Sequence, residues 1–133
     1  GESENREETI KKFADGTIQV LTSMKCLDEG VDVPQAKTAI FCASTGNPRQ
    51  YIQRRGRILR KCDGKKRAVI YDLVVDPDCL GATVSGIEKN IIKTELSRVY
   101  NFASLAENKY PILNEIVLPL LQKYNVPLDV DHV

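Results

Sequence analysis

Residues 53–60 read Gln-Arg-Arg-Gly-Arg-Ile-Leu-Arg, four arginines in eight positions with a glycine among them. Arginine carries a permanent charge on a planar fork of donors that matches phosphate oxygens. Arg54, Arg57 and Arg60 recur at i, i+3 and i+6, which places them along roughly one side of a helix. A polyphosphate or a nucleic-acid backbone asks for that arrangement. The alternative is a solvated basic face. Around this cluster, between Arg49 and Arg67, lie nine basic residues and one acid, Asp63. The chain start is acidic by contrast, with Glu2, Glu4, Glu7 and Glu8, so charge is local in sign although the net charge is only +1.

The elements that must carry this cluster follow from pattern and punctuation. Residues 5–14 read as a short helix with Ile10 and Phe13 inward, stopped by Asp15-Gly16. Residues 18–23 and 38–43 read as buried strands. The loop Ser44-Thr45-Gly46-Asn47 leads to Pro48, which suits a first helical turn, and the helix runs to about Arg60. Cys62-Asp63-Gly64-Lys65 is a turn, Lys61, Lys65, Lys66 and Arg67 extend the basic run as phosphate contacts or a solvated turn, and residues 68–75 form a third strand with Tyr71 in the core. Apolar strands alternating with helices indicate a parallel α/β layer. After Asp76-Pro77-Asp78 the texture becomes helical. Residues 83–106 carry an apolar stripe at Ile87, Ile91, Leu96, Val99, Phe102 and Leu105. Lys109-Tyr110-Pro111 is expected to break the pattern, and a last helix over 112–124 to kink at Pro119. Three strands make a thin sheet, which points to a fragment of a larger protein or a strand borrowed from a partner.

Composition bounds the chemistry. The chain has 133 residues, 42% hydrophobic and 28% charged, the profile of a globular domain. Cys26, Cys42, Cys62 and Cys79 are scattered without a Cys-x-x-Cys pair, and the single histidine is His132, so no metal site is expected. Reduced thiols, no signal peptide and no bilayer-length apolar run make a cytoplasmic setting the default expectation and argue against a membrane partner.

Upstream of the arginines, a predicted strand runs into Glu29-Gly30-Val31-Asp32-Val33-Pro34, and Gln53-x-x-Gly56-Arg57-x-x-Arg60 follows about twenty residues later. This pair resembles motifs V and VI of superfamily 2 helicases, in the second of their two RecA-like domains. The segment after it, Gly64-Lys65-Lys66-Arg67-Ala68-Val69-Ile70-Tyr71-Asp72, looks most like the branch of restriction-enzyme motor subunits and DNA-repair translocases. The resemblance covers about residues 5–75. It implies an α/β fold: a partial RecA-like parallel sheet over residues 1–78 with a helical extension over 79–133. It implies ATP and Mg2+ in the complete protein and none bound to this chain alone. It implies DNA, rather than RNA, as the track.

The resemblance also distributes roles. Arg57 and Arg60 would be arginine fingers on the γ-phosphate, a device that adds about 10³–10⁵ in rate to related phosphoryl transfers. Gln53 would position the nucleotide or the attacking water, and Gly56 would give the backbone room near the phosphates. Gly30 would allow a tight turn. Asp32 would accept from a ribose hydroxyl or link the two motifs. Arg54 and Arg55 fall to structural or domain-contact roles. Ser23 and Lys25 are expected near the nucleic-acid backbone, Met24 standing where relatives often carry a hydroxyl. Ser44 and Thr45 would meet DNA phosphates or serve as loop formers and helix caps.

No Gly-x-x-x-x-Gly-Lys-Ser/Thr loop and no Asp-Glu-x-His sequence is present. The expectation is therefore half of an active site, completed by a first RecA-like domain. The C-terminal helices would pack on the motor or dock another subunit. The rival from another class is a non-catalytic module that binds nucleic acid or a partner through the basic face.

Overall fold

The computed structural model describes residues 2–22, 32–42, 46–77 and 86–128. The elements are helix α1 (Glu2–Ala14), strand β1 (Thr38–Phe41), helix α2 (Pro48–Ile58), strand β2 (Val69–Asp72), helix α3 (Gly86–Ser104), helix α4 (Lys109–Ile112), a π-helical turn (Leu113–Val117) and helix α5 (Leu118–Tyr124). The fold is mixed α/β with a helical C-terminal part, and β1 and β2 form a small parallel sheet. The chain divides into two compact units, residues 1–42 with 49–71, and residues 43–48 with 72–133.

In the first unit, α1 ends where its punctuation says. Gly16 takes φ +84°, open to glycine at no steric cost, and the Asp15 carboxylate accepts from the Thr17 N–H at 2.8 Å. The core is built on Val33, Ala36 and Ile58, with Ile10 and Phe13 of α1 packed against them as expected. Ala39 and Phe41 of β1 and Ile70 of β2 join from one face of the sheet.

The strands are shorter than their apolar runs and covered on one face only. Burial alternates along both, and Ile40 and Tyr71 are 62% and 58% exposed. Tyr71 is thus not a core residue. With period-2 side chains, the layer that receives Ala39, Phe41 and Ile70 cannot also receive Ile40 and Tyr71. Residues 18–22 are not a strand. Leu21 packs on the core, but Val20 is exposed, and the sheet has two strands among the described residues.

The second unit is organised by α3, which packs against α4, the π turn and α5. Ile92, Leu96 and Tyr124 form its core, with Leu120, Leu121 and Val126 around them. Full burial of a side chain such as Ile92 or Leu96 contributes about 1.5–3 kcal/mol.

The stripe of α3 is rotated from its predicted phase. Ile92, Leu96, Val99 and Ala103 are buried while Ile87, Ile91 and Leu105 are exposed, because Glu95, Arg98 and Asn101 also face inward. Arg98 is fully buried. It donates to Asp72 Oδ2 at 2.7 Å and, bidentate, to both Glu95 carboxylate oxygens at 2.7 Å. The second Glu95 oxygen also accepts from the Val75 N–H at 3.0 Å. Asp76 accepts from Lys123 at 3.0 Å and from the Tyr124 hydroxyl.

The helical pattern of α3 is interrupted as expected, over residues 105–108, and Pro111 itself belongs to the helix that follows. It lies within the first turn, where a missing N–H leaves no bond unmade. Pro119 is accommodated by the π turn before it, in which Leu118 N–H bonds to Leu113 O five residues back. The helix then ends at Asn125, in the left-handed region at φ 50°.

Candidate functional site

Helix α2 sorts the motif residues by face. Tyr51, Arg55 and Ile58, at i, i+4 and i+7, are its buried stripe. Gln53 and Gly56 lie exposed on the other side, and Arg54 and Arg57 are half-buried at the flanks. Burial pushes the Arg55 pKa down from its ordinary value, with Tyr51 beside it acting the other way. Arg55 therefore holds the helix on the core, in line with the structural role expected of it.

Arg57 is different. Its Nη1 is enclosed by protein and has no hydrogen-bond partner among the described residues. Gly56, next to it, faces open space where a Cβ would meet nothing within 4 Å. Packing does not explain this glycine, which weakens a helix interior by about 0.5–1 kcal/mol relative to alanine. An orphaned guanidinium nitrogen beside an open backbone fits an anionic ligand that approaches closely.

Arg60 lies just past the helix and pairs with Asp32, Nε to Oδ1 at 3.4 Å. The structure so brings together one residue from each motif. The two side chains are 59% and 42% exposed, and such a solvated pair contributes at most about 1 kcal/mol. Exchange of Asp32 for a stronger anion at Arg60 costs correspondingly little. Gln53 is exposed without a described partner role. Ser23, Lys25, Gly30, Ser44 and Thr45 lie outside the described residues.

Lys65, which the sequence places in the basic run as a phosphate contact or a solvated turn residue, has a structural partner set instead. It is half-buried, and its ammonium donates to three carbonyls: Ile58 O at 2.5 Å, Arg60 O at 3.0 Å and Pro34 O at 3.0 Å. Burial pushes its pKa down, against the influence of Cys62. The turn that returns Lys65 to the helix end is closed by Lys65 N–H to Cys62 O at 3.0 Å, with Gly64 at φ +76°. The legible signal was a lysine just beyond a helix C-terminus, where cations satisfy the last carbonyls.

Among the described residues no group of three or more His, Cys, Asp or Glu is placed to hold a metal ion. No helix among them is long and apolar enough to cross a membrane. Cys42 and Cys62 are free thiols.

Comparison with known proteins places the two motifs in a family. Residues 1–62 match the helicase conserved C-terminal domain. That match supports a superfamily 2 helicase C-terminal domain in this part of the chain. The chain is 45% identical over 73 residues to the DNA 3'-5' translocase XPB2 of Sulfurisphaera tokodaii, a match covering 55% of this chain and 16% of that protein. It is 40% identical over 60 residues to the ATP-dependent DNA helicase MPH1 of Scheffersomyces stipitis, covering 45% of this chain and 6% of the helicase. A match to the Dicer-like protein 2-2 of Aspergillus niger extends into the helical part, 25% identical over 127 residues, 96% of this chain and 8% of that protein. The chain spans no more than 16% of the length of these relatives. No solved structure is a significant match to it.

Proposed function

We propose that this chain supplies motifs V and VI to an ATP-dependent DNA translocase of the restriction or repair type. ATP and its Mg2+ are held mainly by a first RecA-like domain elsewhere in the protein. Residues 1–78 belong to the motor, and residues 79–133 are an extension that packs on it or docks another subunit. Arg57 and Arg60 meet the γ-phosphate, Gln53 positions the nucleotide or the attacking water, and Gly56 lets the backbone come close. Ser23, Lys25, Ser44 and Thr45 are assigned to the DNA backbone.

The observation that carries this reading is Arg57 Nη1, buried without a partner on the helix that bears motif VI. Leaving a buried donor unsatisfied costs about 1–3 kcal/mol, more for a charged group. A phosphate oxygen removes that cost, and removes it most where negative charge develops in the transition state. ATP supplies the transferable phosphoryl group and Mg2+ neutralises its charge; what this chain supplies is preorganised cationic donors. The names of the translocase and helicase relatives support DNA as the track.

The test is DNA-stimulated ATP hydrolysis by the full-length protein. Arg57→Ala and Arg60→Ala are each expected to lower turnover at least about a hundredfold, as finger removal does in related systems, while DNA affinity is spared. Unchanged turnover in both variants removes the assignment. A full-length sequence with no phosphate-binding loop leaves instead the non-catalytic module, whose DNA binding falls steeply with salt.

A further inference from the structure

Lys65 lies outside both motifs, yet its three bonds span them. Two go to the carbonyls at and beyond the end of α2, Ile58 O and Arg60 O, and the third goes to Pro34 O, 31 residues away in sequence. Pro34 closes the segment that begins at Asp32, and Arg60 is the partner of Asp32. One ammonium thus pins the backbone of both residues of the Asp32–Arg60 pair within two positions of each. The pair itself is solvated and weak, so it does not fix its own geometry. The clamp does. An ammonium presents three donors and no acceptor, and here each donor has a carbonyl.

The geometry points to Lys65 as a positioning residue for Arg60: it sets the separation of the Asp32 segment from the end of α2, and through it where the Arg60 guanidinium stands. It touches no substrate. Misplacement of a catalytic group by about 1 Å costs on the order of a hundredfold in rate, so a backbone clamp at this junction is felt in turnover. This inference rests on the reading of Arg60 proposed above.

The test uses Lys65→Met, which keeps the stem and removes the donors, in the full-length protein. DNA-stimulated kcat at saturating ATP is expected to fall about tenfold or more. The double variant with Arg60→Ala is expected to lie within about threefold of Arg60→Ala alone, since residues acting as a unit are not additive. Multiplying effects in the double variant overturn the proposal. Backbone hydrogen exchange without nucleotide supplies the second readout. Lys65→Met is expected to speed exchange at residues 32–36 and 59–61 and to leave α1 unchanged. Unchanged exchange in those two segments overturns the clamp, and loosening that spreads equally to α1 overturns the positioning role in favour of a general structural one. Should Arg60→Ala alone leave turnover intact, the finger assignment fails, while the exchange result still decides whether Lys65 joins the two segments.

Discussion

Arg98 and Arg57 are the same side chain put to opposite uses in the two units. Arg98 is fully buried and saturated, with Nε on Asp72 and both terminal nitrogens on Glu95. Arg57 is half-buried, with one terminal nitrogen enclosed and unanswered. A fold that needs an interior charge surrounds it with acceptors, because an isolated buried ion is far too costly. A fold that leaves a guanidinium short of an acceptor keeps unspent attraction for something that arrives. Charge alone does not separate the two arginines; saturation does.

The sharpest way to break this contrast is to delete each arginine and read stability and activity together. Arg98→Ala leaves the Glu95 and Asp72 carboxylates buried without their cation, and is expected to destabilise the chain by about 3–5 kcal/mol. Denaturant unfolding followed by circular dichroism measures it. Arg57→Ala removes no hydrogen bond at Nη1 and relieves an unsatisfied buried donor, so it is expected to leave the chain no less stable, and to stabilise it by up to about 1–3 kcal/mol. Its effect falls on DNA-stimulated ATP hydrolysis, by about a hundredfold or more. If both variants unfold alike, saturation is not what distinguishes them.

Acid probes the saturated site more finely. Burial opposes ionisation of Glu95, but hydrogen bonds from Arg98 and the Val75 N–H, with the Arg98 charge, outweigh it and hold the pKa below the ordinary glutamate value. A lowered folded-state pKa contributes stability that is fully present above the unfolded value of about 4.3 and is lost as pH falls through the folded one. Unfolding midpoints are therefore expected to drop below about pH 4.3, and Glu95→Gln is expected to flatten that drop. An equally steep acid limb in Glu95→Gln assigns it elsewhere. A smaller effect belongs to the same unit: Tyr124→Phe removes the hydroxyl that donates to Asp76 and is expected to cost about 1 kcal/mol in the same unfolding measurement.

The contrast also explains what could be read before the structure. Local chemistry was legible. Gly16 ends α1, Pro48 opens α2, and Ile10 and Phe13 turn inward. The two motifs stood at the expected spacing, but of the three arginines expected along one helix side Arg54 and Arg57 are half-buried and Arg60 lies past the end of α2. What failed depended on partners distant in sequence. The stripe of α3 was mis-phased because charged residues are read as outward, whereas Arg98 brings its own acceptor from Asp72, 26 residues away. The break after α3 falls at residues 105–108, before Pro111, which sits in the first turn of the next helix, and at the expected kink of Pro119 the irregularity is a π turn. Tyr71 was read as core because an apolar strand does not announce which of its faces is covered. Lys65 was read as a solvated turn residue, since nothing local reveals that its stem returns to Ile58 and Pro34.

Gly56 separates stability from function at the smallest scale. Its neighbourhood is open, so a methyl group there meets nothing within 4 Å. Neither a clash nor a left-handed backbone requires a glycine at this position. Gly56→Ala is therefore expected to stabilise the chain by about 0.5–1 kcal/mol through helix propensity, read as a rise in unfolding midpoint. If a nucleotide approaches this backbone, the same methyl group stands in its path, and ATP turnover of the full-length protein falls while the fold improves. A variant that is more stable and equally active shows the open space to be unused. One that is less stable shows that the space is not open. A gain in stability joined to a loss of turnover is the outcome that only a ligand-facing glycine produces, and it extends the contrast between the two arginines to the residue beside Arg57.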